Sequence, residues 1–148
     1  MDGFVLTSPA FRPGGRIPRR HTCEGEDVSP ALVWANLPAG TKELALVVED
    51  PDAPGGIFVH WAAWGLPGTA EALAEGESAP GEGRNDFATI GYRGPCPPRR
   101  HGPHRYVFRL YALGSSVAVP PGAGKAELLE AIEAHVLGVA ELVGTYER

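Results

Sequence analysis

The sequence predicts a mainly β domain, a sandwich carrying one amphipathic helix near its C-terminus. Twenty glycines and fifteen prolines fall between short apolar runs, the pattern of many strands closed by many turns. One late segment instead spaces its apolar residues for a helix. A hydrophobic share of 43% over 148 residues supports one core without a metal or disulfides, so residues 1–148 read as a single domain.

Taken in order, the expected strands are Gly3 to Leu6, Ala31 to Ala35, Glu43 to Glu49, Phe58 to Trp64 and Tyr106 to Leu113. The run Leu44-Ala45-Leu46-Val47-Val48 is continuously apolar and is expected to be covered on both faces. In Phe58 to Trp64, simple alternation places Phe58, His60, Ala62 and Trp64 on one face. The stretch Gly68 to Asp86, rich in Ala, Glu and Gly without clear period, reads as a long surface loop of the kind that lines sites. Pro120-Pro121-Gly122 marks a break. Beyond it Leu128, Leu129, Ile132, Val136, Val139 and Leu142 predict a helix over Lys125 to Leu142, with Gly144 as its stop.

The charge balance narrows the function classes. A net charge of −5 without a run of either sign argues against a nucleic-acid binder, even though Arg93, Arg99, Arg100, Arg105 and Arg109 cluster in sequence. The N-terminal residues show no basic and apolar export signal, and no apolar stretch approaches the roughly 20 residues of a spanning helix. A cytoplasmic location is therefore expected, with at most peripheral membrane contact. In that reducing setting Cys23 and Cys96 are expected to be free thiols, whereas an exported chain would bridge them.

Three segments concentrate chemistry. Glu49-Asp50-Pro51-Asp52-Ala53-Pro54 follows the most apolar strand, so its carboxylates need partners or water unless they simply form a turn. His60 lies among aromatic and apolar residues, as a core histidine or as a polar anchor in a mostly apolar ligand pocket. Gly94-Pro95-Cys96-Pro97-Pro98 and Gly102-Pro103-His104-Arg105-Tyr106 form a stiff loop running into a strand. On that strand His104 and Tyr106 share a side, a donor pair suited to phosphate or carboxylate oxygens.

The strings Asp50-Pro51-Asp52-Ala53-Pro54, Gly94-Pro95-Cys96-Pro97-Pro98 and Gly102-Pro103-His104-Arg105-Tyr106 resemble signature segments of the phosphatidylethanolamine-binding proteins, in the form of the bacterial Raf-kinase-inhibitor-like branch. The segment from His21 to Pro30 and the ending Gly144-Thr145-Tyr146-Glu147-Arg148 are similar to that branch as well. The resemblance implies two antiparallel sheets in a sandwich, a C-terminal helix, and a pocket for phosphate-like anions or a phosphoethanolamine head group. Carried over by motif position, the ligand-binding residues are Asp50, Asp52, Phe58, His60, Gly94, Pro95, His104 and Tyr106. The resemblance also implies a cis peptide at Ala53–Pro54 and admits a homodimer. Phe58 stands where animal members often have Trp, the Pro54–His60 segment is short, and Cys96 is an extra residue in the rim. A differently shaped pocket mouth follows.

The function expected is a non-catalytic binding or regulatory module, possessing neither catalytic residues nor a cofactor or metal, and related to kinase- or protease-inhibitor-like regulators. The competing reading is a small hydrolase or a metal-binding protein using the same Asp/His/Tyr pocket. Asp50 is expected to orient a histidine, with His60 and His104 both open as its partner, or else to meet a ligand cation.

Overall fold

A computed structural model describes residues 3–148. Eight strands and one helix follow one another as β1 (Val5–Thr7), β2 (Leu32–Ala35), β3 (Glu43–Asp50), β4 (Phe58–Pro67), β5 (Ala72–Leu73), β6 (Gly81–Glu82), β7 (His104–Leu113), α1 (Lys125–Ile132) and β8 (Val136–Tyr146). They form a three-stranded sheet, β1-β2-β5, and a five-stranded sheet, β6-β4-β3-β7-β8. Every pairing between these strands is antiparallel. The mainly β, two-sheet expectation holds.

The core lies between the sheets. Leu6, Leu32, Trp34 and Leu73 meet Leu46, Val48, Trp61, Phe108, Leu110 and Leu142 there. On the other face of the large sheet, Ala45, Val47, Ala62, Trp64 and Leu113 pack beneath Leu128 and Ile132 of α1. Strand β3 is central and covered on both sides, which explains its unbroken apolar run. Glu49 is buried on the helix side, where it pairs with Arg109 of β7 and Lys125 of α1. Without those two cations a buried carboxylate would be strongly unfavourable.

The predicted long helix is half strand. α1 ends at Ile132, a short 3-10 turn covers Glu133–His135, and the chain then pairs with β7 along ten residues, from Leu113↔Val136 to His104↔Tyr146. Val136, Val139, Val143 and Thr145 are β-branched and favour a strand. The unpaired edge of β7 supplies the partner that a local spacing rule does not see. Gly144 is no helix stop. A Cβ there would lie 2.6 Å from Ile17 Cγ1 and 2.7 Å from Phe11 Cε2, so its lack of a side chain lets the N-terminal segment pack onto β8.

Three further expectations are corrected. The segment from Gly68 to Asp86 is not one long loop, because β5 and β6 within it pair with β2 and β4 as short edge strands. Cys23 and Cys96 are bridged rather than free, across a sequence separation of 73; the pairing of their two loops brings the thiols together. No cis peptide occurs among the described residues. Pro54 is therefore entered in the trans form, which an X–Pro bond favours by about 0.5–1 kcal/mol. No helix among those residues is long and apolar enough to cross a membrane.

Candidate functional site

Because β3 runs antiparallel to β4 and β7, its final residue Asp50 lies beside the first residues of both neighbours. One end of the sheet thus gathers Asp50, Phe58, His60, His104 and Tyr106, although they come from three separated segments. They line one cavity of about 210 Å³ with Ala53, Pro54, Phe87, Cys96, Pro97 and Pro98. A wider hollow of about 400 Å³ beside α1 lies on the other face, bounded by Val59, Arg84 and Lys125. We place the candidate site in the smaller one, where a buried polar group lacks a partner.

A β-bulge aims His60 into the cavity. Val48 pairs with Trp61 and Glu49 with Val59, which leaves His60 as the extra residue of β4. The bulge shifts the alternation. Phe58 and His60 reach the cavity, while Ala62 and Trp64 turn to the helix side. The single shared face expected for these four residues is therefore split in two.

Both oxygens of Asp50 have a partner. Its Oδ1 accepts the Asp52 backbone N–H at 2.7 Å, and its Oδ2 accepts Nδ1–H of His104 at 2.7 Å. The histidine oriented by Asp50 is thus His104. The Nε2 of His104 in turn meets Nδ1 of His101. His60 is held differently: its Nδ1 lies 2.7 Å from the Arg93 carbonyl oxygen. Burial lowers the His60 pKa from its ordinary value, opposed by the Arg93 hydrogen bond and by nearby Asp50, Asp27 and Asp86. Tyr106 is 1% exposed, and among the described residues its hydroxyl is the buried side-chain polar atom without a hydrogen-bond partner. Burial raises its pKa strongly, and the Asp50 carboxylate adds to that by its charge and by its nearness to the hydroxyl, although the two do not meet in hydrogen-bond geometry. The phenol stays protonated.

Aromatic edges close the wall: Phe58 and Phe87 have ring centroids 4.8 Å apart, and His60 and Tyr106 5.3 Å. Three expected site residues stand outside it. Asp52 points outward into an ion pair with Arg105, which holds its carboxyl down at about 2. Gly94 donates its N–H to Asp27 Oδ1 at 2.8 Å, and a Cβ on it would lie 2.0 Å from the His21 carbonyl oxygen. Pro95 accepts the Cys23 N–H. Gly94 and Pro95 therefore dock the rim onto the N-terminal loop and leave the lining to Cys96, Pro97 and Pro98. Sequence reasoning missed Phe87 and His101. Nothing local marks Phe87, whereas the string His101-Gly102-Pro103-His104 did hold a signal for a second imidazole. Among the described residues, no three His, Cys, Asp or Glu side chains are grouped to hold a metal ion.

The profile of the phosphatidylethanolamine-binding proteins matches residues 7–147. The chain belongs to that family. A phosphatidylethanolamine-binding protein homologue from Chlamydia trachomatis superposes with a TM-score of 0.94 at 40% identity, covering 100% of this chain and 99% of its own. The family member YbcL from Escherichia coli gives a TM-score of 0.92 at 32% identity, covering 99% of each chain. A UPF0098 protein of Methanothermobacter thermautotrophicus is 47% identical over 97% of this chain and 98% of its own length. A Mycobacterium tuberculosis relative bearing a lipoprotein name, LppC, is 43% identical over 99% of this chain and 73% of its own length.

Proposed function

We propose that this phosphatidylethanolamine-binding-protein family member is a non-catalytic binding module whose pocket takes a small phosphate-type anion, phosphoethanolamine among them. The unpartnered Tyr106 hydroxyl carries this reading. A buried hydroxyl without a partner costs about 1–3 kcal/mol, and an anionic oxygen in the cavity relieves that cost while His60 contacts the same guest. The cavity suits a head group and is too small for acyl chains. Catalysis has less support. Cys96 is bonded to Cys23, the Tyr106 phenol is held protonated, and neither can supply a ready nucleophile. A regulatory role through a protein partner, as for kinase or protease inhibitors, would use ligand occupancy of this pocket as its signal.

Titration with phosphoethanolamine and with inorganic phosphate tests the reading. Saturable binding is expected, weakened at least tenfold (about 1.4 kcal/mol) by His60→Ala or Tyr106→Phe. Affinity unchanged in both variants would place the ligand elsewhere. Turnover of phosphate or acyl esters would restore the hydrolase reading. Location follows the redox state of the bridge: trapped free thiols at Cys23 and Cys96 in cells fit the cytoplasm, and an intact bridge fits an oxidising compartment.

A further inference from the structure

The polar groups of the pocket are nearly all committed. Each oxygen of Asp50 accepts one hydrogen bond, from the Asp52 N–H and from His104, and the other nitrogen of His104 meets His101. His60 Nδ1 faces a carbonyl oxygen, which can only accept, so that nitrogen carries the ring's proton. In the neutral imidazole Nε2 is then a lone-pair acceptor. Among the side chains, a guest meets acceptors at His60 Nε2 and at the spare lone pairs of Asp50, and one donor at the Tyr106 hydroxyl, whose ring adjoins that of His60. The charges facing His60 are acidic, namely Asp50 at the end of β3, Asp27 from the N-terminal loop and Asp86 from the segment preceding Phe87. The guanidinium of Arg93, whose carbonyl holds His60, is paired with Asp27 and stacked over Phe87. From β7, Tyr106 offers only its hydroxyl, and His104 already serves Asp50.

We propose, resting on the anion-site reading above, that the pocket selects phosphate monoesters in their singly protonated form and disfavours phosphate diesters. The P–OH of the monoester donates to His60 Nε2, and the Tyr106 hydroxyl donates to a second phosphoryl oxygen. A diester has no P–OH near neutral pH. Both its free oxygens are acceptors, so an oxygen set against His60 Nε2 meets a lone pair unless His60 first takes up a proton. A dianionic monoester meets the same conflict and adds a charge beside Asp50. If the shared proton rests on the imidazole instead of the phosphate, the proton count of the complex is unchanged. By this logic a free phosphomonoester such as phosphoethanolamine fits better than the same head group in a phospholipid, where the phosphate is a diester.

Calorimetry on the full chain with phosphoethanolamine and glycerophosphoethanolamine, between pH 5 and 8 and in two buffers of different ionisation enthalpy, tests this. The monoester is expected to bind with nearly level affinity below its second pKa, about 6 for such phosphates, and about tenfold more weakly for each pH unit above. Proton uptake should approach one at pH 8. The diester should bind at least tenfold more weakly at pH 7. In His60→Gln a non-titrating amide can donate to the dianion, so the pH slope should flatten and the gap between the esters narrow. Equal affinities for the two esters in the wild type, or no proton uptake with the monoester at pH 8, would overturn the proposal while leaving the anion site standing. Binding of neither ester would overturn both.

Discussion

Tyr106 meets opposing demands in the free protein. Its ring packs in the core beside His60, yet its hydroxyl is buried without a partner. Tyr106→Phe removes that orphan group and should leave the free protein as stable as the wild type, or up to about 1–3 kcal/mol more so, while anion affinity falls. Thermal unfolding with and without phosphate measures both, and a clear loss of stability in the free variant would mean that the hydroxyl has a partner after all. Asp52, one residue of the same signature string, has a different duty. Arg105 lowers its carboxyl from 3.8 to about 2. A depressed folded pKa stabilises the fold above the unfolded value and loses that contribution as pH falls through the folded one. The pair is part-exposed, at 31% for Asp52 and 62% for Arg105, so about 1 kcal/mol or less is expected. The difference in unfolding temperature between Asp52→Asn and wild type should therefore be small at pH 7 and close between about pH 4 and pH 2. A difference that persists at pH 2 would assign it to something other than charge.

At the scale of elements, β4 and β8 depart most from their local patterns. An alternation rule places His60 with Ala62 and Trp64, but one extra residue against β3 returns it to the cavity side. In β8 the spacing of Val136, Val139 and Leu142 fits a helix, whereas in the strand Leu142 is buried and Val139 faces outward. The ten-residue ladder with β7 overrides that spacing, because backbone hydrogen bonds along β7 would otherwise go unmade. The inward positions Ala140, Leu142, Gly144 and Tyr146 are buried, and at Gly144 there is no room for a Cβ between Ile17 and Phe11. Gly144→Val should lower stability by about 1–3 kcal/mol through overpacking, read from chemical denaturation. A variant as stable as the wild type would mean that the N-terminal segment is not seated on β8 as described.

The whole molecule is held by contacts distant in sequence. The loop around His21 to Val28 docks on the pocket rim through the Cys23–Cys96 bridge, the Tyr92 hydroxyl donating to the His21 carbonyl at 2.7 Å, and Gly94 N–H donating to Asp27. A cross-link over 73 residues removes about 4 kcal/mol of unfolded-state entropy in the chain model. Cys96→Ala or reduction is expected to lower stability by about 2–4 kcal/mol and to steepen the denaturant dependence, since the unfolded chain opens further. The pocket should persist, because the hydrogen bonds between the two loops remain. Unchanged stability on reduction would show that those bonds alone hold the rim.

The sequence by itself determined the segments of β1, β2, β3, β4 and β7, the continuously buried centre of β3, and the short strings that carry Asp50, His60, His104 and Tyr106. Apolar period and turn chemistry act over a few residues and so are legible without a fold. Only the tertiary structure decided that Asp50 serves His104 rather than His60, that Gly94 and Pro95 support the rim while Phe87 lines the cavity, that Cys23 meets Cys96, and that β8 is a strand. Each of these depends on which distant segment lies alongside. Pairing between strands and loops is a non-local energy, and local spacing carries no record of it.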